Sequence, residues 1–235
     1  MAEEIRERLA RVHERIARAA ERAGRSAEEI TLITVSKTFD ADIVQQAVDA
    51  GVRDLGENKV QEASGKALKV RAENLRWHLI GHLQGNKARA AVATFDVIHS
   101  IDSRQLVERI DRISGEEGRT PSVLIQVDLG HEATKSGASE MELPAIVEAL
   151  DAAKNIELRG LMTLPPFFDD PEQARSYFGR LRELQEGLNR SRPQERALKE
   201  LSMGMSHDFE VAIEEGATMV RVGTAIFGAR EGAKR

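Results

Sequence analysis

The chain has 235 residues, 41% hydrophobic and 31% charged, which is enough for one large domain with a sizeable core. The absence of cysteine excludes disulfides, thiolate nucleophiles and cysteine-bound metals. A net charge of -5 with one Trp and one Tyr argues against a nucleic-acid platform, and no apolar run is long enough to span a bilayer. A small-molecule site is the expectation that remains.

The opening segment MAEEIRERLARVHERIARAAERAG spaces Ile5, Leu9, Val12, Ile16 and Ala20 at helical intervals and reaches a stop at Gly24. It predicts an amphipathic helix over 1–24 packed on the body. Charges run through it where a signal peptide would have an apolar centre, so a cytoplasmic protein is expected. Glu3, Glu4, Glu7, Glu14 and Glu21 interleave with its basic residues, which favours a solvated face over a membrane anchor.

Next comes ITLITVSKTFD, whose β-branched run from Ile30 to Val35 reads as a strand that delivers Ser36 and Lys37 at its carboxyl end. Asp40 then suits a cap for ADIVQQAVDAG, with Gly51 as terminator. The pattern recurs: RDLGEN before KVQEASGKALKVRA, RWHLIGHLQGN before KARAAVATF, DVIHSID before SRQLVERIDRIS, and SVLIQVDLG before EMELPAIVEALDAA. IELRGLMTL precedes DPEQARSYFGRLRELQEGLN, with Asp170 as N-cap and Pro171 at the first helical position; LKELSMGMS precedes HDFEVAIEEGA, and TMVRVGTAIFG ends in a short helical turn. About eight strand-then-helix units with short connections are the signature of a parallel α/β fold. A single (β/α)8 TIM barrel over 1–235 is predicted, with a doubly wound open sheet as the rival.

In a barrel, chemistry gathers where strands end and helices begin. The residues there are Lys37, Glu57, Asn58, His78, His99, Ser100, Asp102, Asp128, the MTLPP stretch, SMGMS from Ser202, and RVGTA from Arg221. Gly204 between Ser202 and Ser206, and Gly223 before Thr224, give small-residue turns after the last two strands, where backbone N–H groups and hydroxyls can seat a phosphate; an ordinary cap is the plain alternative. A lysine in a partly desolvated mouth with cationic neighbours favours its amine form, which condenses with an aldehyde. A phosphate-bearing aldehyde held opposite Lys37 describes pyridoxal 5'-phosphate, PLP. Arg221, near a pyridine nitrogen, would keep that nitrogen unprotonated and weaken the ring as an electron sink; its plain alternative is a salt bridge with a carboxylate such as Glu57. For Lys37 the plain alternative is a solvated strand exit.

The ordered motifs LITVSKT, DLGENKVQEA, WHLIGHLQGNK, IHSIDS, VLIQVDLGHEATKSG, LRGLMTL and LSMGMSHDFEVAIEEGATMVRVGTAIFGAR run over nearly the whole chain. Through them it resembles the YggS/PROSC family of PLP homeostasis proteins. The resemblance implies a single-domain barrel like the amino-terminal domain of alanine racemase, a fold-type III PLP fold, with PLP as an internal aldimine on Lys37. It implies Asn58, Met203 and Arg221 around the cofactor ring, and Ser202, Gly223 and Thr224 at the phosphate. A monomer is expected, holding PLP within bounds in the cell and passing it to apo PLP-dependent enzymes, without strong catalysis of its own.

Racemases of the related fold add a tyrosine base from a second domain, which has no counterpart in this chain. Tyr177 falls in the helical ARSYFGRLREL, where packing is the expected role. His78, His99 and Asp128 are further candidate bases with local hydrogen bonding as their ordinary role. No metal is expected, because HLIGH places His78 and His82 across a strand and a glycine turn, and not on one helix face. Two rivals stay open: a one-base PLP enzyme acting on amino acids, and a barrel enzyme that uses Lys37 as a Schiff base to a phosphorylated sugar.

Overall fold

Eight short strands alternate with helices and close on themselves in the computed structural model, which describes residues 2–130 and 136–228. In chain order these are α1 (Ala2–Arg22), β1 (Thr31–Val35), α2 (Ala41–Asp49), β2 (Asp54–Glu57), α3 (Val60–Ala67), β3 (Arg76–Leu79), α4 (Ala88–Thr94) and β4 (Val97–Ile101). Then come α5 (Arg104–Glu117), β5 (Ser122–Val127), α6 (Leu143–Ala152), β6 (Glu157–Thr163), α7 (Arg175–Asn189), β7 (Glu200–Met205), α8 (Phe209–Glu214), β8 (Met219–Val222) and α9 (Thr224–Phe227). Each strand pairs in parallel with its sequence neighbour, and β8 closes onto β1 with Ile33 opposite Arg221 and Thr34 opposite Val222. The barrel, and not the open sheet, is the fold. The HEATK part of one quoted motif, at 131–135, and the end of another, at 229–230, lie outside the described residues.

Strand side chains alternate, and so there are two cores. The larger fills the layer between strands and helices, with Phe95, Phe178 and Phe209 fully buried in it. The smaller lies inside the barrel and consists of Ile33, Val97, Leu124, Met162 and Met219. Burying apolar surface in the outer layer, at roughly 25 cal/mol per Å², is what drives this assembly. One glycine is dictated by strand approach: a Cβ on Gly160 would sit 1.8 Å from the Glu200 carbonyl oxygen, so β6 and β7 could not come together around it.

The N-terminal helix forms as its apolar spacing predicts, burying Ile5, Leu9, Val12 and Ile16. It packs against α8, α9 and α2, with Arg15 over the Phe209 ring at 4.5 Å and Arg22 paired to Glu214 at 2.7 Å. Gly24 follows with φ +67, the left-handed turn a stop requires. Two details differ from expectation. Asp170 caps a short 3-10 turn at Pro171–Ala174 that leads into α7, because the Pro-initiated segment winds more tightly before the helix proper starts. Asp40 occupies the N-cap of α2 in extended conformation, but its side chain makes no capping bond. No helix among the described residues is long and apolar enough to cross a membrane.

Candidate functional site

Alternation places the site. A Cβ on Gly56 would meet Ile33 Cγ2 at 2.8 Å and Val35 Cγ2 at 3.5 Å, so these three positions share the barrel's inner face. Two residues further along each strand are Lys37, Asn58 and, beyond Arg221, Gly223, which therefore ring the mouth at the carboxyl ends. Gly81 lets the end of β3 run against Asn58, since a Cβ there would lie 2.3 Å from the Asn58 carbonyl oxygen.

The turn that carries Lys37 is gripped from behind. Lys66 on α3, itself buried, donates to the Ser36 carbonyl at 2.7 Å, to Glu57 Oε1 at 2.6 Å and to Glu62 Oε1 at 2.7 Å. Ser36 Oγ donates to the same Glu57 oxygen at 2.6 Å, and the Thr38 N–H donates to Glu62. Thr38 takes φ +72, an uncommon conformation for a β-branched residue, and the bond to Glu62 helps hold it there. Burial raises the Glu57 carboxyl above its ordinary range despite the hydrogen bonds from Lys66 and Ser36, and its Oε2 has no partner among the described residues. Partial burial opposes ionisation of Glu62 as well, but there the bonds from Lys66 and Thr38 win and its pKa falls. Lys66 and Glu62 were not singled out as site residues from the sequence, although their helical spacing is legible in it, whereas Glu57 was noted as a strand-end residue.

Arg221 is buried inside the barrel, donating through Nη1 to Ser202 Oγ at 2.6 Å and through Nη2 to the Thr163 carbonyl at 2.9 Å. Both acceptors are neutral, and Glu57, the carboxylate expected as its plain partner, is paired with Lys66 instead. Burial lowers the guanidinium to about 10, opposed by the nearby charge of Asp208, so it stays cationic at neutral pH.

Ser202 does not sit at the small-residue turn formed by Ser206 and Gly223. Its position within β7 points it into the barrel, where Oγ is committed to Arg221 and, at 2.9 Å, to His99 Nδ1. Met203 is also displaced from its expected place: as the next residue along the strand it faces the other way, fully buried in the outer core with Leu201 and Phe209. The hydroxyl at the turn is that of Ser206, whose Oγ accepts the Gly223 N–H at 3.1 Å. Gly204 has φ +89, and a Cβ there would come within 2.6 Å of Ala212 Cβ and 2.8 Å of Phe209 Cα, so glycine lets α8 fold tightly against this turn. Gly223 lies against β1, where a Cβ would be 3.2 Å from the Val35 carbonyl oxygen. Thr224 then opens the short α9, in which the Ile226 and Phe227 N–H groups donate to the Gly223 carbonyl at 2.9 and 3.0 Å.

His99 and His78 belong to a buried chain and not to the mouth. His99 Nε2 is 2.9 Å from His78 Nδ1, and His78 Nε2 is 2.8 Å from Asp54 Oδ1, which also meets Arg76 Nε at 2.7 Å. His82 is separate, with Nδ1 3.3 Å from Asp102 Oδ2. Asp128 Oδ1 accepts the Gly130 N–H at 3.2 Å in the following turn, and Tyr177 on α7 packs against Phe168. Among the described residues no group of three or more His, Asp and Glu could hold a metal ion. The donor set at the mouth suits an anionic group beside a ring acceptor and an electrophilic carbon: a lysine, a buried guanidinium whose two acceptors are neutral, a hydroxyl and a glycine-lined turn.

Residues 8–231 match the family described as alanine racemase, N-terminal domain. The pyridoxal phosphate homeostasis protein of Pseudomonas aeruginosa is 43% identical over 228 residues, 97% of this chain and 96% of that one. That of Escherichia coli strain K12 is 40% identical over 235 residues, 99% of each. Among solved structures, PipY of Synechococcus elongatus PCC7942 with PLP bound is 41% identical with a TM-score of 0.84, covering 95% of this chain and all 100% of that one. Alanine racemase of Clostridium difficile 630, at 16% identity and a TM-score of 0.73 over 98% of this chain and 58% of its own, shares the fold.

Proposed function

The chain belongs to the pyridoxal phosphate homeostasis family, built on the alanine racemase N-terminal domain, and on that premise we propose that it binds PLP at the barrel mouth between β1 and β8. PLP, when bound, supplies an aldehyde that condenses with amines and a ring that withdraws electrons. Lys37 would provide the amine. Ser206, Gly223 and Thr224 would hold the phosphate, and Asn58 would line the ring. Arg221 would donate to the ring nitrogen, and because the guanidinium keeps its charge the nitrogen would stay unprotonated. Ser202 stands behind Arg221 and supports it.

The observation that carries this reading is Arg221, a buried cation whose own acceptors are both neutral, on the strand paired with the one that delivers Lys37. A charge kept in that state costs several kcal/mol unless a further acceptor meets it, and the ring nitrogen is such an acceptor. Tyr177 on the outer helix α7 supports holding over two-base turnover. On this reading the protein is a cytoplasmic monomer that stores PLP and releases it to apoenzymes.

The test mixes purified protein with PLP, reduces with borohydride and maps the modified peptide by mass spectrometry. A visible absorption band and one reduced adduct on Lys37, both lost in Lys37→Ala, are expected. A wild type that stays colourless, or an adduct that persists on another lysine in Lys37→Ala, overturns the assignment.

A further inference from the structure

Strand β7 ends irregularly. Ser202 lies opposite Met219 and Met205 opposite Arg221, so β7 takes three steps where β8 takes two and the ladder is broken between them. Gly204 lies in the break with φ +89, and beyond it the chain doubles back so closely that the start of α8 packs on this glycine. Residues 205–208 make the turn that brings Ser206 Oγ to the Gly223 N–H.

That turn is closed twice between its first and last residues. The Asp208 N–H donates to the Met205 carbonyl at 3.2 Å, and the Met205 N–H donates to Asp208 Oδ1 at 2.6 Å. Asp208 is 7% exposed and stands at the N-cap of α8, where an aspartate side chain ordinarily accepts a first-turn N–H of its own helix. It makes no such bond. The carboxylate reaches back along the chain instead, so the helix forgoes its side-chain cap and the turn gains a lock.

Aspartate also carries a penalty here, because a carboxylate two residues from a hydroxyl that is to meet an anion repels that anion. Arg221 offsets it. The guanidinium belongs to the residue opposite Met205 in the ladder, and the Asp208 charge in turn supports its cationic form. The hydroxyl at the turn is a neutral donor. Ser206 Oγ already accepts the Gly223 N–H, so its own hydrogen remains to be given, and where that hydrogen points depends on where the turn holds the oxygen.

We propose that Asp208 is a positioning residue for an anion seat at the end of β7: through the Met205 N–H it fixes the 205–208 turn so that Ser206 Oγ, held by Gly223, offers its hydrogen to a phosphate at the mouth. That this phosphate is the one carried by PLP rests on the PLP reading, whereas the part Asp208 plays in seating a phosphate does not.

The first arm of the test titrates inorganic phosphate into 15N-labelled protein without PLP and follows the Ser206 and Gly223 amide signals. Saturable shifts are expected in the wild type. The dissociation constant should rise about tenfold in Asp208→Ala, the worth of one hydrogen bond to a charged group, and recover in Asp208→Asn, whose side-chain oxygen can still accept the Met205 N–H. Ser206→Ala should weaken binding by a similar factor, and the double variant by no more than that, because Asp208 acts through this hydroxyl. A wild type that does not respond to phosphate, an Asp208→Ala protein that binds it unchanged, an Asp208→Asn protein as weak as the alanine variant, or additive losses in the double variant overturns the proposal.

The second arm compares capture of PLP with capture of 5'-deoxypyridoxal, which has the ring and aldehyde without the phosphate, as the yield of borohydride-reduced adduct on Lys37. The preference for PLP should fall about tenfold in Asp208→Ala and return in Asp208→Asn. Equal loss of both aldehydes marks a merely structural residue and overturns the proposal. A wild type that binds phosphate but captures neither aldehyde defeats the PLP reading and leaves the first arm to decide the role of Asp208.

Discussion

Between the strands and the helices, Phe95, Phe178 and Phe209 pack with aliphatic side chains from nearly every element, whereas inside the barrel Ile33, Val97, Leu124, Met162 and Met219 share the space with Asp54, His78, His99, Ser202 and Arg221. The outer layer is held by burial, which has no direction and tolerates local repacking. The interior is held by hydrogen bonds whose donors and acceptors must match along a line, so a single change there leaves an unmatched group. The two cores therefore divide the work: one makes the barrel stable, and the other holds a cation ready at its mouth.

The largest expected effect tests the outer layer. Phe178→Ala removes a fully buried ring and should lower unfolding stability by about 3–5 kcal/mol in urea titration, while PLP affinity below the transition changes little. Equal loss of both would dissolve the division. Lys66→Met tests the seam between the regions, because it strips Ser36, Glu57 and Glu62 of their shared donor. It should cost about 3 kcal/mol and also weaken PLP capture by Lys37, measured as the yield of reduced adduct at limiting PLP. Unchanged capture would mean that the Lys37 turn keeps its shape without the clamp.

The smallest effect lies inside the barrel and depends on pH. His99 in the folded protein is held below its ordinary 6.5, so as pH falls through that value the unfolded chain takes up a proton that the folded chain refuses. The stability this group contributes is present above about pH 6.5 and is lost below it, at up to about 1.4 kcal/mol per pH unit. His99→Gln should flatten that part of the stability profile. An identical slope in the variant would show that the acid sensitivity comes from elsewhere.

The barrel was legible because each strand ended in a residue that punctuates, and the alternation of units left few other folds open. Lys37, Asn58, Gly223 and Thr224 were legible for a related reason: they lie just past strand ends, where a barrel keeps its mouth. The strand's parity, which the motif alone does not show, turns Met203 to the outer core and Ser202 to the barrel interior. Adjacent residues on a strand face opposite ways, so one of the pair had to leave the interior, and Ser202, inside β7, belongs below the turn that Ser206 occupies. The same parity would have found the buried chain, since Asp54, His78, His99, Ser202 and Arg221 all fall on inward positions. What no spacing discloses is the register between strands, which decides that His99 meets Ser202 and not the mouth.

The pairing of β8 with β1 joins the end of the chain to its beginning. During synthesis the lysine at position 37 emerges early, long before the guanidinium at 221 and the turn at 223–224 exist. An unfinished chain thus carries Lys37 without Arg221, and only insertion of the last strand between β7 and β1 closes the barrel. Ligand that binds the closed form alone then acts as a latch on this seam, favouring closure by RT ln(1 + [L]/Kd). Vitamin B6 supply would on this account set how tightly the newly made barrel stays shut, as well as how much cofactor it carries.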